Sequence, residues 1–380
     1  FREKVKNRPA ELARLRREGK TVIGWSGYNI PEEYFHALDI VPVRIAIGGD
    51  EKLVEIGARY ISPRNCVYVR ELLGQISENN DPLIQQIDSY AFDATCLQTF
   101  RVAELVEFYF KKDVFVLGVP RNFHWEEARA YFVKEAEFFV KTIEEKYDRK
   151  ISAEKLQEAV LLYNRIRKSI EMLYEIQIDS EELSWAEVNE IIQAGYILDK
   201  SAYADLLDQA AAEAGLLKKT GSGKGGPRVF LSGSVLPPGD TKLINIITEL
   251  GGRIVGDDLW SGILPYVNLD IGEATVGGVA LGYLNRTPHG ALPYLELESD
   301  RRLRKLKELI AKTRADGVVY HTLRYCDPFS FKALETKQVL AGRDIPFLEI
   351  HTEYAASDTE GIRTRIEAFL ELLEMGQYSI

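Results

Sequence analysis

The chain has 380 residues, 46% of them hydrophobic, and carries a formal net charge of −10. An acidic balance of that size argues against partnership with nucleic acid or with an anionic membrane surface, which would repel it. The length exceeds what one ordinary core accommodates, so two or three domains are expected, and no apolar run is as long as a membrane span.

The opening residues Phe1-Arg2-Glu3-Lys4-Val5-Lys6 do not read as a secretory signal. With only three cysteines, an odd number, the sequence suits a reducing cytoplasm in which disulfides are not expected. Residues 8–19 are charged and helical in pattern, with Leu12 and Leu15 on the apolar side. Residues 21–27 then read as a buried strand ending in a glycine turn, Gly24-Trp25-Ser26-Gly27. A helix is expected from Pro31, carrying Tyr34, Phe35 and Leu38 inward, with His36 as a packing residue beside them. Residues 41–47 form the next predicted strand. Cys66 and Cys96 follow, each in a turn that opens a helix, where free N–H groups stabilise thiolates. Residues 113–120 are a further strand, whose loop carries Arg121, Asn122 and His124.

From Trp125 to Leu217 the pattern is almost wholly helical. Phe132, Ala136, Phe139 and Val140 share one apolar face and Leu156, Val160, Tyr163 and Ile166 another, as core seams do. Residues 220–227 read as a polar linker. Their glycines lack the register of a phosphate loop. A second α/β unit begins with a strand at residues 228–234. It continues with a helix after Asp240 that stops at Gly251-Gly252, strands near 253–258, 317–320 and 346–350, and a terminal helix over 359–374. The expected fold class is therefore α/β, with two Rossmann-like parallel-sheet domains and a helical insertion between them. The boundaries fall at 1–124 for the N-terminal α/β domain carrying Cys66 and Cys96, 125–220 for the helical segment, and 221–380 for the C-terminal α/β domain carrying Cys326.

Cys326 follows a strand and enters a proline turn, the position at the carboxyl end of a sheet where open α/β folds place ligands. Asp327 is expected to cap the helix after it through the Ser330 amide. Three thiolates suffice for one [4Fe–4S] cubane with one iron left for a non-protein ligand, and two domains directing loops at a shared cleft would bring them together there. The competing readings are small buried hydrophobes and a zinc ion held by three thiolates and water. Zinc ligands usually come in close pairs, which are missing here.

The run Tyr325-Cys326-Asp327-Pro328-Phe329-Ser330-Phe331, followed by Ile345-Pro346-Phe347-Leu348-Glu349-Ile350 and Arg363-Thr364-Arg365-Ile366-Glu367-Ala368-Phe369, resembles the C-terminal signature of the 2-hydroxyacyl-CoA dehydratase and benzoyl-CoA reductase family. So do the Pro31-Glu32-Glu33 helix start with Ala37 and Pro42, the Cys66 and Cys96 segments, and Val119-Pro120-Arg121 leading into Ala128, Arg129, Tyr131 and Phe132. The resemblance covers nearly the whole chain, with the three cysteines where the family places its cluster ligands.

The resemblance implies a lyase subunit acting on an acyl-CoA thioester. One electron added to the thioester carbonyl gives a ketyl radical anion, which expels the adjacent hydroxyl and acidifies the β proton. It also implies anaerobic chemistry, a homologous second subunit in a heterodimer or a homodimer, and a separate ATP-hydrolysing activator protein that contains its own cluster. A double-cubane variant needs more cysteines than this chain has. The other two readings are a benzoyl-CoA reductase type subunit and a noncatalytic electron-relay subunit.

Ser26 resembles the serine that catalytic subunits of the family offer near substrate as a proton-transfer group, the alternative being a turn serine bonded to its own backbone. Arg121 and His124 are candidates for coenzyme A phosphate or the thioester oxygen, with helix capping as the alternative. Ser232 and Ser234, with Gly233 and Asp257, occupy loop ends of the second unit and are candidates for the nucleotide part of coenzyme A. Arg64 and Arg70 flank Cys66 and are candidates to offset cluster charge.

Overall fold

Runs of apolar residues too short for helices and bounded by Gly, Pro and Asp become the strands of two sheets in the computed structural model, which describes residues 1–217, 225–293 and 300–377. The first sheet contains β1 (Thr21–Ser26), β2 (Ile40–Arg44), β3 (Ser89–Asp93) and β4 (Val114–Leu117), in the order β2-β1-β3-β4. The second contains β5 (Arg228–Gly233), β6 (Arg253–Asp257), β7 (Gly317–Leu323) and β8 (Phe347–Thr352), in the matching order β6-β5-β7-β8. Every pairing is parallel. Strands β3, β5 and β7 are buried throughout, as expected when helices cover both faces of a sheet.

In each sheet the chain moves outward from the central strand, returns, and leaves on the other side. The loops therefore diverge beside the first and third strands, and that divergence opens a crevice at their carboxyl ends. The expected α/β class with two parallel-sheet units is what the structure has. Strand β2 ends earlier than the sequence suggests, at Arg44 rather than Ile47. The Ile45 amide still reaches the Trp25 carbonyl, but Gly48 then turns away to donate to the Pro238 carbonyl of the second unit. A Cβ on Gly49 would lie 2.6 Å from the Gly239 carbonyl oxygen, so the two backbones touch there.

The helices Glu126–Tyr147, Ala153–Asp179, Trp185–Ala194 and Lys200–Ala214 fill the stretch between the sheets. Phe132, Ala136, Phe139 and Val140 are buried as one seam, together with Ile23, Phe115 and Leu117 of the first sheet. That same core also takes Leu269, Ile271, Val279, Tyr283 and Leu292, which come from the long segment after β6. The segment thus leaves the second sheet, covers the first, and returns. Of the expected linker, residues 220–224 lie outside the described residues, while Gly225, Gly226 and Pro227 lead directly into β5. Among the described residues no helix is long and apolar enough to cross a membrane.

Candidate functional site

Each of the three cysteines is the residue immediately before a helix. Cys66 precedes the Val67–Glu78 helix, Cys96 the Leu97–Phe110 helix, and Cys326 the single turn Asp327–Ser330 with Pro328 inside it. A residue in this position has left the helix ladder, while the first N–H groups after it have no intrahelical acceptor and can turn toward a side-chain anion. None of the thiols makes a capping bond of regular geometry. The amides of Tyr68 and Val69 are nevertheless directed at Cys66, those of Thr99 and Gln98 at Cys96, and that of Phe329 at Cys326. The expected cap by Asp327 is not formed. Cys326 holds the position, and the Ser330 amide donates to the Cys326 carbonyl at 3.0 Å, because the chain enters the turn one residue earlier.

All three thiols are free and line one pocket, which encloses about 520 Å³ of empty space including its open mouth. Cys66 and Cys326 are hydrogen-bonded to each other. That contact draws the Cys66 thiol below its ordinary value and, with burial, pushes Cys326 well above. Burial raises Cys96, and the charge of Cys66 raises it further.

Gln98 ties the three segments together. Its Oε1 accepts from the Cys66 amide at 2.6 Å and its Nε2 donates to the Tyr325 carbonyl at 3.0 Å, two residues after Cys96 and one before Cys326. The Val67 amide adds a 3.3 Å bond to the Arg324 carbonyl. Tyr325 has a φ of +64°, the left-handed conformation that turns the chain out of β7 into the cysteine. On the opposite wall Asp93, at the end of β3, accepts from the amides of Tyr28 (2.8 Å), Asn29 and Thr95. Gly27 has a φ of +144°, and a Cβ there would sit 2.6 Å from the Asp93 carboxyl carbon. The glycine turn read from the sequence is therefore the close approach that lets this carboxylate pin the end of β1.

The structure separates the other candidates. Ser26 is 1% exposed and its Oγ lies 2.9 Å from the Tyr68 hydroxyl, which is itself on the pocket wall and donates to the Ile45 carbonyl at 3.2 Å. Arg121 joins two loops by donating to the carbonyls of Thr95 (3.2 Å) and Ala291 (2.7 Å). His124 stands between the rings of Phe123 and Trp125 with a buried Nδ1 that has no partner among the described residues. Ser232 and Ser234 are fully buried at the end of β5, and Ser234 Oγ accepts the Leu323 amide at 3.0 Å. Asp257, also fully buried, accepts from Trp185 Nε1 at 2.7 Å and from the amides of Leu259 and Ile263. Arg70 donates to the Asn65 carbonyl beside Cys66, and Arg64 is exposed. His36 packs edge-on to Tyr163.

Sequence reasoning missed His289. It lines the cysteine pocket, 7% exposed, among the rings of Tyr28, Trp260 and Phe329. Burial and then the nearby cations Arg302, Lys332, Arg286 and Arg44 hold its pKa well below the ordinary value, so the imidazole is neutral. Its Nδ1 accepts the Ala291 amide at 3.0 Å, which assigns the proton to Nε2. The available signal was Pro288-His289-Gly290: a Cβ on Gly290 would meet the Phe329 ring at 2.5 Å, so this turn must press against the Cys326 loop.

An iron–sulfur cube fits these residues in donor chemistry: three free thiols at one pocket, amides aimed at each sulfur, and an apolar surround that includes Trp260 and Phe329. Among the described residues no three His, Cys, Asp or Glu side chains close on a single point as they would around one ion. A cube spreads its thiolates over separate corners, so it asks for donors arranged around a volume.

Comparison with known proteins places the chain in a family. The family described as 2-hydroxyglutaryl-CoA dehydratase, D-component, matches residues 28–373. The chain is 27% identical over 373 residues to YjiM of Escherichia coli K12, a provisionally named dehydratase subunit, covering 94% of this chain and 93% of the relative. It is 23% identical over 365 residues to one of the benzoyl-CoA reductase subunits of Thauera aromatica, covering 94% and 92%. It is 23% identical over 384 residues to the (R)-phenyllactyl-CoA dehydratase beta subunit of Clostridium sporogenes, covering 98% and 97%. Because one continuous match takes in the second sheet, the first sheet from β2 onward and all three cysteine segments, the chain belongs to the 2-hydroxyglutaryl-CoA dehydratase D-component family and is a dehydratase-family subunit.

Proposed function

We propose that the chain is a [4Fe–4S]-dependent subunit of a 2-hydroxyacyl-CoA dehydratase, with Cys66, Cys96 and Cys326 as the cluster's protein ligands. The observation that carries the proposal is the meeting of three sequence-distant thiols at one pocket, tied through Gln98. When bound, such a cluster would supply a single strongly reducing electron and one iron corner without a protein ligand. Loss of water from a 2-hydroxyacyl thioester needs that electron on the carbonyl, because the β proton is otherwise not acidic.

The residues around the thiols have complementary roles. Tyr28, Trp260 and Phe329 exclude water, which strengthens every electrostatic interaction inside. Gln98 and Asp93 fix the loops against each other. Burial raises the Tyr68 phenol far above neutrality, so Tyr68 keeps its proton and, with Ser26 behind it, offers a hydroxyl at the wall. His289 holds a proton on Nε2 without carrying charge. A homologous second subunit, as a heterodimer or homodimer, and an ATP-hydrolysing activator belong to this reading; relatives that are themselves named as subunits of larger enzymes favour partner subunits. The similarity to a benzoyl-CoA reductase subunit favours one other reading, an aromatic-thioester reductase subunit built on the same cluster site.

The test is anaerobic purification followed by iron and sulfide analysis of the wild type and of Cys66→Ser, Cys96→Ser and Cys326→Ser. About four irons and four sulfides per chain are expected in the wild type, with substantial loss in each variant. A change in the cluster's EPR signal on adding 2-hydroxyacyl-CoA marks a substrate-contacting subunit, and no change marks an electron relay. Iron-free wild-type protein after anaerobic handling would overturn the proposal.

A further inference from the structure

One aromatic layer behind the cysteines lies a second cavity, separated from them by Tyr28 and Trp260. Its walls carry four buried cations, Arg44, Arg167, Lys200 and Arg286. Two carboxylates answer them. Glu33 pairs with Arg167 and also accepts from the Tyr283 hydroxyl at 2.9 Å, while Glu32 lies 3.0 Å from Lys200 Nζ and accepts from Trp25 Nε1 at 2.7 Å.

Arg44 and Arg286 are different. Arg44 is 5% exposed and Arg286 3%, yet among the described residues neither meets a carboxylate. Arg44 donates through Nη2 to the carbonyls of Gly27 and Trp260 and is stacked over the Tyr196, Trp25 and Trp260 rings. Arg286 donates to the carbonyls of Pro265 and Tyr28 and lies 3.9 Å from the centre of the Tyr28 ring. Among the described residues the Nε of each is buried without a partner. The Tyr163 hydroxyl, on the same cavity wall and directed toward Glu32, makes no hydrogen bond of regular geometry among the described residues.

Two buried guanidinium groups without counter-ions are unfavourable in a low-dielectric interior, and an anion between them removes that cost. Planar guanidinium groups pair best with an oxyanion that accepts from two N–H groups at once, and a cavity volume of about 60 Å³ suits a group of carboxylate size. We infer that this cavity is a binding site for a compact oxyanion of carboxylate size, held between Arg44 and Arg286 with a hydrogen bond from the Tyr163 hydroxyl. The site stands on side chains one aromatic layer from the thiols and does not require the dehydratase reading. Two sources share the chemistry: a free small carboxylate, or a carboxylate at the far end of a substrate acyl chain.

The test is thermal unfolding of the full chain as sodium acetate replaces sodium chloride at constant sodium concentration. Saturable stabilisation is expected for the wild type and for the surface control Lys141→Gln. The half-saturating acetate concentration should rise at least tenfold in Arg44→Gln and Arg286→Gln and several-fold in Tyr163→Phe. Should the arginine variants fail to fold, Tyr163→Phe decides alone, because it keeps the ring and removes only the hydroxyl. Stabilisation that does not saturate, or that is equal in wild type and folded variants, overturns the site. With the complete enzyme, a KM increase in Arg44→Gln confined to thioesters whose acyl chain ends in a carboxylate assigns the anion to substrate. An unchanged KM beside weakened acetate binding assigns it to a free anion. Absence of any dehydratase activity would defeat the functional proposal and leave the acetate result standing.

Discussion

At the scale of single residues, the site depends on a few side chains that join segments far apart in sequence. Gln98 is the clearest, since its amide bonds both the Cys66 and the Cys326 loops. Replacing it with alanine leaves two backbone groups without their partner, at a cost of about 2 kcal/mol. Gln98→Ala is expected to keep its far-ultraviolet spectrum, unfold at lower urea and retain less than half the wild-type iron after anaerobic purification. Glu71 is fully buried, and burial raises its carboxyl from 4.5 to about 8. A carboxyl whose pKa is raised by folding binds more protons in the native than in the unfolded state, so its contribution to stability falls as pH climbs from about 4.5 through about 8. Asp240 and Asp257, both raised to about 7 by burial, act in the same direction. Glu71→Gln should therefore raise the Tm over wild type by roughly 2–6 °C at pH 8 and hardly at all at pH 5, measured by calorimetry. An equal shift at both pH values would mean that Glu71 is ionised in the fold.

Helices and turns set how far those side chains can be trusted to stay in place. The Glu51–Gly57 helix packs onto the Val67–Glu78 helix through two glycines. A Cβ on Gly57 would come within 1.8 Å of the Arg70 carbonyl oxygen, and one on Gly74 within 2.0 Å of that of Leu53. Neither contact can be relieved by rotating a side chain, because the clashing atoms are backbone. Gly74→Ala should force the Cys66 helix outward, costing about 3 kcal/mol in urea unfolding. It should also loosen iron, although the substitution lies two turns from the cysteine. Gly27→Ala combines a left-handed backbone with a clash against Asp93 and should cost a similar amount, about 2–4 kcal/mol. In contrast, the Ser184 capping box with Glu187 satisfies its helix end locally, and its loss should stay near 1 kcal/mol without effect at the pocket.

At the scale of the whole molecule, the two sheets repeat one another. Cys96 lies three residues past the end of β3 and Cys326 three residues past the end of β7, and these are the corresponding strands of the two sheets. Equivalent strand ends thus face each other across the crevice. The halves are not independent, because Leu269, Ile271, Val279, Tyr283 and Leu292 complete the core beneath the first sheet. A fragment of residues 1–217 should consequently expose that core, bind a hydrophobic dye and lose near-ultraviolet circular dichroism while retaining helix. A rigid, dye-excluding fragment would contradict this view of the packing.

Local patterning made the elements legible. Short apolar runs ending in glycine, aspartate or proline marked the strands, the four-residue spacing of Phe132, Ala136 and Val140 marked a helical seam, and the turns before Cys66, Cys96 and Cys326 marked three helix starts. These features are written in neighbouring residues, so the sequence by itself determined the α/β class, the alternation of its elements and the identity of the thiols. Only the folded chain decided that Gln98 bridges the cysteine loops, that His289 reaches their pocket, that Ser234 and Asp257 serve buried backbone, and that among the described residues Arg44 and Arg286 each keep a buried Nε without a partner. Each of those outcomes joins residues whose separation along the chain carries no information about distance in space. The physical cause is that parallel sheets pair strands only after long crossovers, so the meeting of loops is fixed by packing and not by local pattern.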